Sequence, residues 1–267
     1  MGNDERMRAQ PSVEAATSPT PPDTCMPGQR KADGYRRTTS FRTRRSALSA
    51  AQQRTWERLW PELGILARSA DGPGEPLDTR AWFGREAPLV LEIGCGTGTS
   101  TLAMAQTEPD VDVIAVEVYR RGLAQLLSAI EREQVANIRL IRGDAVDVLE
   151  HLITPGSLSG VRVFFPDPWP KTRHHKRRLL QPATVGLIAD RLRPGGVLHA
   201  ATDHRGYAEQ IAEVGDAERG LRRVAPDTPG LPISVVRPTT KYETKARHAG
   251  SAVTDLLWES RSERNRP

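Results

Sequence analysis

A mostly apolar run, Leu89–Ile93, leads directly into Gly94-Cys95-Gly96-Thr97-Gly98, and no other stretch constrains the fold of this chain as tightly. A short run of this kind, bounded by turn residues, fits a buried parallel strand, and residues 99–106 behind the glycines fit a helix. The predicted unit is strand, tight turn, helix. A residue without Cβ takes positive φ readily and lets another molecule come close to the backbone. Three alternate glycines in such a turn, Gly94, Gly96 and Gly98, therefore predict a cofactor lying on bare peptide.

The acids near the turn select among cofactors. A dinucleotide site uses G-x-G-x-x-G and a helix N-terminus free to take a pyrophosphate, whereas the spacing here is G-x-G-x-G. Glu92, just before the turn, repels a pyrophosphate but can hold the ammonium of a methionine moiety, directly or through water. A second apolar run over residues 111–116 ends in Glu117, nineteen residues past Gly98, where a carboxylate can accept both hydroxyls of a ribose. Residues 138–141 lead into Gly143-Asp144, a third strand-end acid, placed to take an adenine amino group. Three strand-end acids with three glycines fit S-adenosylmethionine.

The chain has 267 residues and a hydrophobic fraction of 37%, low for one fully globular unit. The deficit lies at the start: residues 1–34 hold Pro11, Pro19, Pro21, Pro22 and Pro27 among polar and charged residues, the composition of a disordered tail. What remains, roughly 230 residues, is a normal size for one α/β domain. The net charge of +5 is compatible with a polyanionic partner. From Arg30 to Arg45, seven Lys or Arg residues stand against the single acid Asp33, a basic arm that is either simply solvated or able to clamp phosphates. The two cysteines, Cys25 and Cys95, suggest neither a disulfide framework nor a zinc site, which fits a reducing cytoplasm. No stretch approaches the ~18 apolar residues of a membrane span, and the first residues lack the apolar core of a secretion signal.

Strand and helix patterns then alternate. A helix over residues 49–60, ended by Pro61, precedes the sheet. Strands are expected at 89–93, 111–116, 138–141, 161–165 and 197–201, with helices at 123–133, 146–152 and 185–192. The last helix should stop at Arg193-Pro194-Gly195-Gly196, a loop launching the fifth strand. Beyond about residue 217 two further strands, 221–224 and 252–259, suit an antiparallel closure. The expected fold is α/β: a doubly wound, mostly parallel, seven-stranded Rossmann-like sheet with helices on both faces, an antiparallel C-terminal strand, and ligands at the strand C-terminal ends.

The fourth strand runs into Phe164-Phe165-Pro166-Asp167-Pro168-Trp169-Pro170-Lys171. Prolines on both sides fix φ and restrict their neighbours, holding an acid and an indole rigidly at a pocket edge, where the indole can stack on a base and the acid can accept its N–H groups. Next comes Thr172-Arg173-His174-His175-Lys176-Arg177-Arg178, which with Lys171 places five fixed positive charges in eight residues. Beside an aromatic and acidic pocket, that is a phosphate-binding surface. His174 and His175 lack spaced carboxylate or thiol partners, so no metal is expected. Ala201-Thr202-Asp203 places another acid at a strand end, and Thr240-Lys241-Tyr242-Glu243 offers a hydroxyl, an ammonium, an aromatic and a carboxylate suited to a base edge.

Taken together, Leu-Glu-Ile-Gly-Cys-Gly-Thr-Gly, Phe-Phe-Pro-Asp-Pro-Trp-Pro-Lys with its Arg-His-His-Lys-Arg-Arg sequel, Ala-Thr-Asp, and Arg-Pro-Thr-Thr-Lys-Tyr-Glu resemble the bacterial tRNA (guanine-N7-)-methyltransferases, over residues 40–259. The resemblance implies methylation of the variable-loop guanine, nucleotide forty-six, of tRNA in the cytoplasm. Composition and pattern divide the chain into a tail over 1–34, outside the resemblance, a basic arm and N-terminal helix over 35–61, and a domain over 62–267 that the resemblance makes the methyltransferase domain. By the same matching, Glu92, Gly94, Gly96, Gly98, Glu117, Asp144 and Asp167 form the S-adenosylmethionine site, with Asp167 also catalytic. Lys171, Asp203, Thr240, Lys241, Tyr242 and Glu243 hold the substrate, and Arg173, His174, His175, Lys176, Arg177 and Arg178 contact RNA. Two rivals stay open: an amine methyltransferase on another nucleic acid, and a non-catalytic RNA-binding protein on the same fold. The oligomeric state stays open too, a homodimer included.

Overall fold

The computed structural model describes residues 47–69, 72–238 and 252–261. The tail and basic arm up to residue 46, and the substrate motif Thr240, Lys241, Tyr242 and Glu243, lie outside the described residues.

In chain order the elements are α1 (Ala50–Leu63), β1 (Gly64–Leu66), β2 (Arg68–Ser69), β3 (Gly72–Pro73), α2 (Thr79–Phe83), β4 (Leu89–Ile93), α3 (Thr99–Thr107), β5 (Asp112–Glu117), α4 (Arg120–Glu133) and β6 (Ile138–Arg142). There follow α5 (Ala145–Asp147), continued by one wide helical turn at Val148–Leu152, then β7 (Leu158–Phe164), a tight 3-10 helix at Thr172–Arg177, α6 (Pro182–Arg191), β8 (Leu192–Thr202), α7 (Arg205–Ala217), β9 (Leu221–Val224) and β10 (Thr254–Ser260). The main sheet has eight strands in the order β1-β6-β5-β4-β7-β8-β10-β9; β2 and β3 form a separate antiparallel pair. All neighbours from β1 through β8 are parallel, and β10 pairs antiparallel with both β8 and β9. None of the described helices is long and apolar enough to cross a membrane.

Every residue of β4 and β5 is buried, as expected of parallel strands covered on both faces. Because side chains alternate between faces, the core splits in two. Leu91, Ile93, Val161, Val163, Leu198 and Ala200 pack with Val185, Ile188, Tyr207 and Ile211 of α6 and α7. Val90, Val113, Ala115 and Leu140 pack on the other face with Leu123, Leu126, Leu127 and Ile130 of α4. Burying such a side chain stabilises the fold by about 1.5–3 kcal/mol relative to leaving it in water.

Three details differ from the sequence reading. The sheet has an eighth strand, β1, which pairs through Gly64↔Leu140, Ile65↔Ile141 and Leu66↔Arg142. Helix α1 begins within the expected stretch, capped by Ser49 with Gln52 in a reciprocal capping box, but passes Pro61 and ends at Leu63. Pro61 removes a single backbone bond there, and the Gly64 N–H still closes on the Trp60 carbonyl. Finally, Arg193, Pro194, Gly195 and Gly196 form no loop before the strand: they bulge out inside β8, between the pairs Leu158↔Leu192 and Gly160↔Val197.

Candidate active site

The strand order reverses between β4 and β7: β5 and β6 continue on one side of β4, while β7 and β8 continue on the other. A crevice at the C-terminal ends of two such strands is the usual ligand site of a doubly wound sheet. Ile93 pairs with Val163, so the chain leaves β4 at Gly94 and β7 at Phe165 from the same edge, on strands about 4.8 Å apart. The glycine turn and the Pro166-Asp167-Pro168 loop are thus brought to one place.

Val116 ties the glycine turn to β5, its carbonyl accepting from the N–H groups of Gly94 at 2.9 Å and Cys95 at 3.2 Å. Gly96 has φ +58°, left-handed backbone that disfavours a side chain, and nothing lies within 4 Å of the Cβ direction of either Gly94 or Gly96. The space over these two peptides is open. Gly98 is left-handed too, at φ +77°, and a Cβ there would also meet Leu126 Cδ1 at 2.5 Å.

The expected acids surround this turn. Glu117 Oε2 accepts the Gly96 N–H at 3.0 Å, and Oε1 accepts those of Val118 at 2.7 Å and Tyr119 at 3.0 Å. Glu117 therefore clamps the turn as well as facing the crevice. Burial pushes its proton affinity up, the three N–H groups oppose that, and the charge of Asp167 adds to the rise. Asp167 of the proline loop is therefore close enough to Glu117 for its field to be felt. Glu92 is buried on β4, with no hydrogen-bond partner at Oε2. Its pKa rises from 4.5 to about 7, mainly by desolvation, against the nearby Arg162 and the Thr101 hydroxyl. Asp144 Oδ1 caps α5 by accepting the Val146 N–H at 2.8 Å, at the end of the next strand, β6.

Cys95, between the glycines, is a free, buried thiol whose proton affinity burial and the charges of Glu92 and Glu117 push up. These residues fit a nucleoside cofactor bearing an amino acid: open peptide over Gly94 and Gly96, an orphaned buried acceptor on Glu92, and an acid at the ribose position.

Asp167 is exposed at the crevice rim, on a loop held in unusual backbone: Phe165 has φ +51° and Trp169 φ +42°. Such conformations in non-glycine residues persist only where the surroundings enforce them, and they concentrate at functional sites. The Phe165 N–H donates to the Ala201 carbonyl at 2.8 Å, and the Arg237 guanidinium lies over the Phe165 ring at 5.2 Å.

The basic run is divided. Lys171, Arg173 and Lys176 are exposed, and Arg177 lies over the Trp169 ring at 5.0 Å, beside His174. Slight burial and the charges of Arg177, Arg173, Lys171 and Lys176 pull the His174 pKa down, so this imidazole stays neutral at physiological pH. His175 and Lys176 also border a hollow of about 500 Å³ whose other walls include Glu213 and Glu218, so the run does not face cationic surface alone.

Arg178 does not join the surface. It is buried, donating to the Pro168 carbonyl at 2.8 Å, the Gly206 carbonyl at 3.1 Å and Gln210 Oε1 at 2.6 Å, over the Tyr207 ring. Its role is to tie the proline loop to α7, a correction to its expected contact with RNA. Asp203, at the end of β8, is exposed next to the crevice edge.

Two site residues escaped the sequence reading. Gly122 in α4 comes so close to the turn that a Cβ would lie 2.1 Å from the Gly96 carbonyl oxygen. Arg162 on β7 is wholly buried beside Glu92.

The doubly wound sheet carries an open glycine turn at its switch point, and a family model described as a putative methyltransferase matches residues 86–256, which makes this an α/β methyltransferase. A tRNA (guanine-N(7)-)-methyltransferase of Mycobacterium avium (strain 104) is 67% identical over 261 residues, 97% of this chain and 99% of that protein. Proteins of the same name from Mycobacterium sp. (strain KMS) and Mycobacterium tuberculosis (strain ATCC 25177 / H37Ra) are 74% and 66% identical, over 84% and 95% of this chain and 82% and 93% of theirs. The chain belongs to the tRNA (guanine-N7-)-methyltransferase family.

Proposed function

We propose that this protein transfers the methyl group of S-adenosylmethionine to N7 of the variable-loop guanine, nucleotide forty-six, of tRNA. The observation that carries the reading is the meeting of the glycine turn and the Asp167 loop at the C-terminal ends of the paired strands β4 and β7. When bound, the cofactor supplies an electrophilic methyl on a sulfonium.

The residues of the chain do the positioning. Gly94 and Gly96 offer bare peptide, Glu117 the ribose acceptor, Asp144 an acceptor for the adenine amino group, and Glu92 a buried carboxylate for the ammonium. Guanine N7 already carries an in-plane lone pair, so no base is needed to create the nucleophile, and orientation dominates the rate. Asp167 accepts N–H groups of the guanine and stabilises the cationic base that forms. Trp169 offers a face for stacking, Lys171, Asp203 and the motif Thr240, Lys241, Tyr242 and Glu243 hold the nucleotide, and Arg173, His174, His175, Lys176 and Arg177 take RNA phosphates.

The test is incubation with methyl-labelled cofactor and unmodified tRNA, followed by nucleoside mass spectrometry and mapping. The expected product is 7-methylguanosine in the variable loop. Label on an exocyclic amine, or no transfer at all, overturns the proposal.

A further inference from the structure

Arg162 occupies a position where a charge is expensive. It sits on β7 between two core strands with none of its surface exposed, in register with Glu92 on β4 and His199 on β8. These three side chains leave the same face of the sheet, under the segment of residues 231–237, whose Leu231, Ile233 and Val235 close the core there. One nitrogen is well placed: Arg162 Nη2 donates to Glu108 Oε2 at 2.5 Å and to the Ser234 carbonyl at 3.1 Å. Glu108, at the C-terminal end of α3, also accepts the Ser234 N–H at 2.6 Å.

The other two nitrogens, Nε and Nη1, are buried without a partner, as is Oε2 of Glu92. Leaving such atoms unbonded is unfavourable, and an apolar side chain of similar volume would avoid the cost. Stability alone does not account for an arginine here. The anchoring of Ser234 uses Nη2 only, so what the remainder of the guanidinium supplies is its field. That field falls on Glu92 from the adjacent strand, through a dry interior where charges act strongly.

We propose that Arg162 is a positioning residue that keeps the charged form of the Glu92 carboxyl accessible at neutral pH, ready for the ammonium of the cofactor, without touching the cofactor itself. This rests on the cofactor site assigned above. A guanidinium suits the task because it stays protonated when buried. Among the described residues, the groups facing Glu92 are Arg162 from β7, Thr101 from α3 and Cys95 from the turn, and Glu117 of β5 also bears on Cys95. Of these, Arg162 is the one positive charge. Its influence opposes the desolvation that lifts the Glu92 pKa. On its other side Arg162 depresses the proton affinity of His199, as burial does, against the Asp255 carboxylate 2.9 Å from its Nε2.

Two measurements on the full-length protein test this. In the cofactor-free protein, the Glu92 carboxyl is followed by NMR of labelled glutamate and assigned by its loss in Glu92→Gln. Arg162→Met should raise its midpoint by about one pH unit or more, and Arg162→Lys should restore most of the shift. In calorimetry with S-adenosylmethionine, Arg162→Met should bind about tenfold more weakly at neutral pH and regain affinity as pH rises past the new midpoint.

Glu108→Gln removes the ion-pair partner of Arg162 while the guanidinium keeps its own charge, and should bind the cofactor no more weakly than the wild type. A midpoint unmoved in Arg162→Met, or a loss in Glu108→Gln equal to that in Arg162→Met at every pH, overturns the proposal in favour of a purely structural arginine. Failure of the wild type to bind the cofactor at all would instead sink the assigned cofactor site, and the cofactor-free titration still reads the Glu92–Arg162 pair.

Discussion

The backbone of Gly122, in the first turn of α4, lies so close to the glycine turn that a Cβ on it would sit 2.1 Å from the Gly96 carbonyl oxygen. The obstructing atom is backbone, so no side-chain rotation relieves the clash. In an ordinary helix, Gly→Ala is favourable by about 1 kcal/mol. Here Gly122→Ala must push the turn away from α4 and disturb the Glu117–Gly96 bond. Calorimetry should show cofactor affinity reduced by about tenfold or more with no gain in melting temperature. Unchanged affinity would mean that the turn yields without consequence.

The charge on Glu92 should register in the pH dependence of stability. Its pKa rises from 4.5 to about 7 on folding. Between those values the unfolded chain has released a proton that the folded chain keeps, so the contribution of this group falls as pH rises through the window. The loss is on the order of 3 kcal/mol by pH 8, as an upper bound. Glu92→Gln should therefore match wild-type stability near pH 5 and exceed it near pH 8 in urea unfolding. Parallel pH profiles for the two proteins would contradict a raised pKa.

Members of the basic run should respond differently to substitution. Arg173→Ala with Lys176→Ala removes exposed charge. It should weaken tRNA binding and flatten the dependence of log K on log salt, by up to about one unit for each phosphate no longer neutralised. Arg178→Ala leaves the carbonyls of Pro168 and Gly206 without their donor and should cost about 2 kcal/mol or more of stability, with the salt slope little changed. Equal salt effects from both variants would place Arg178 on the RNA surface after all.

That contrast shows where sequence reading reaches and where it stops. The core strands were legible because burial on both faces demands unbroken apolar runs: Leu89–Ile93 falls where expected, β5, β6 and β7 lie within a few residues, and β8 starts five residues early because the bulge at Arg193–Gly196 belongs to it. The glycine turn was legible because positive φ selects a residue type directly. By contrast β1 is three residues long, and only its distant partner β6 makes it a strand. Arg177 and Arg178 are adjacent and chemically identical, and what separates them is a set of acceptors on α7, some thirty residues away in sequence. Gly122 resembles any helix glycine until α4 is laid against the turn. Arg162 is one polar residue in a strand pattern, and its meaning comes from the Glu92 and His199 that the register sets beside it.

The most direct test of the central claim, that the proline-flanked acid acts on a base presented to the glycine turn, pairs two measurements on Asp167→Ala. Cofactor affinity and the single-turnover rate of methyl transfer to unmodified tRNA are both compared with wild type. The account predicts affinity within about threefold of wild type and a rate lower by about a hundredfold or more. A single-turnover rate equal to that of wild type would contradict it.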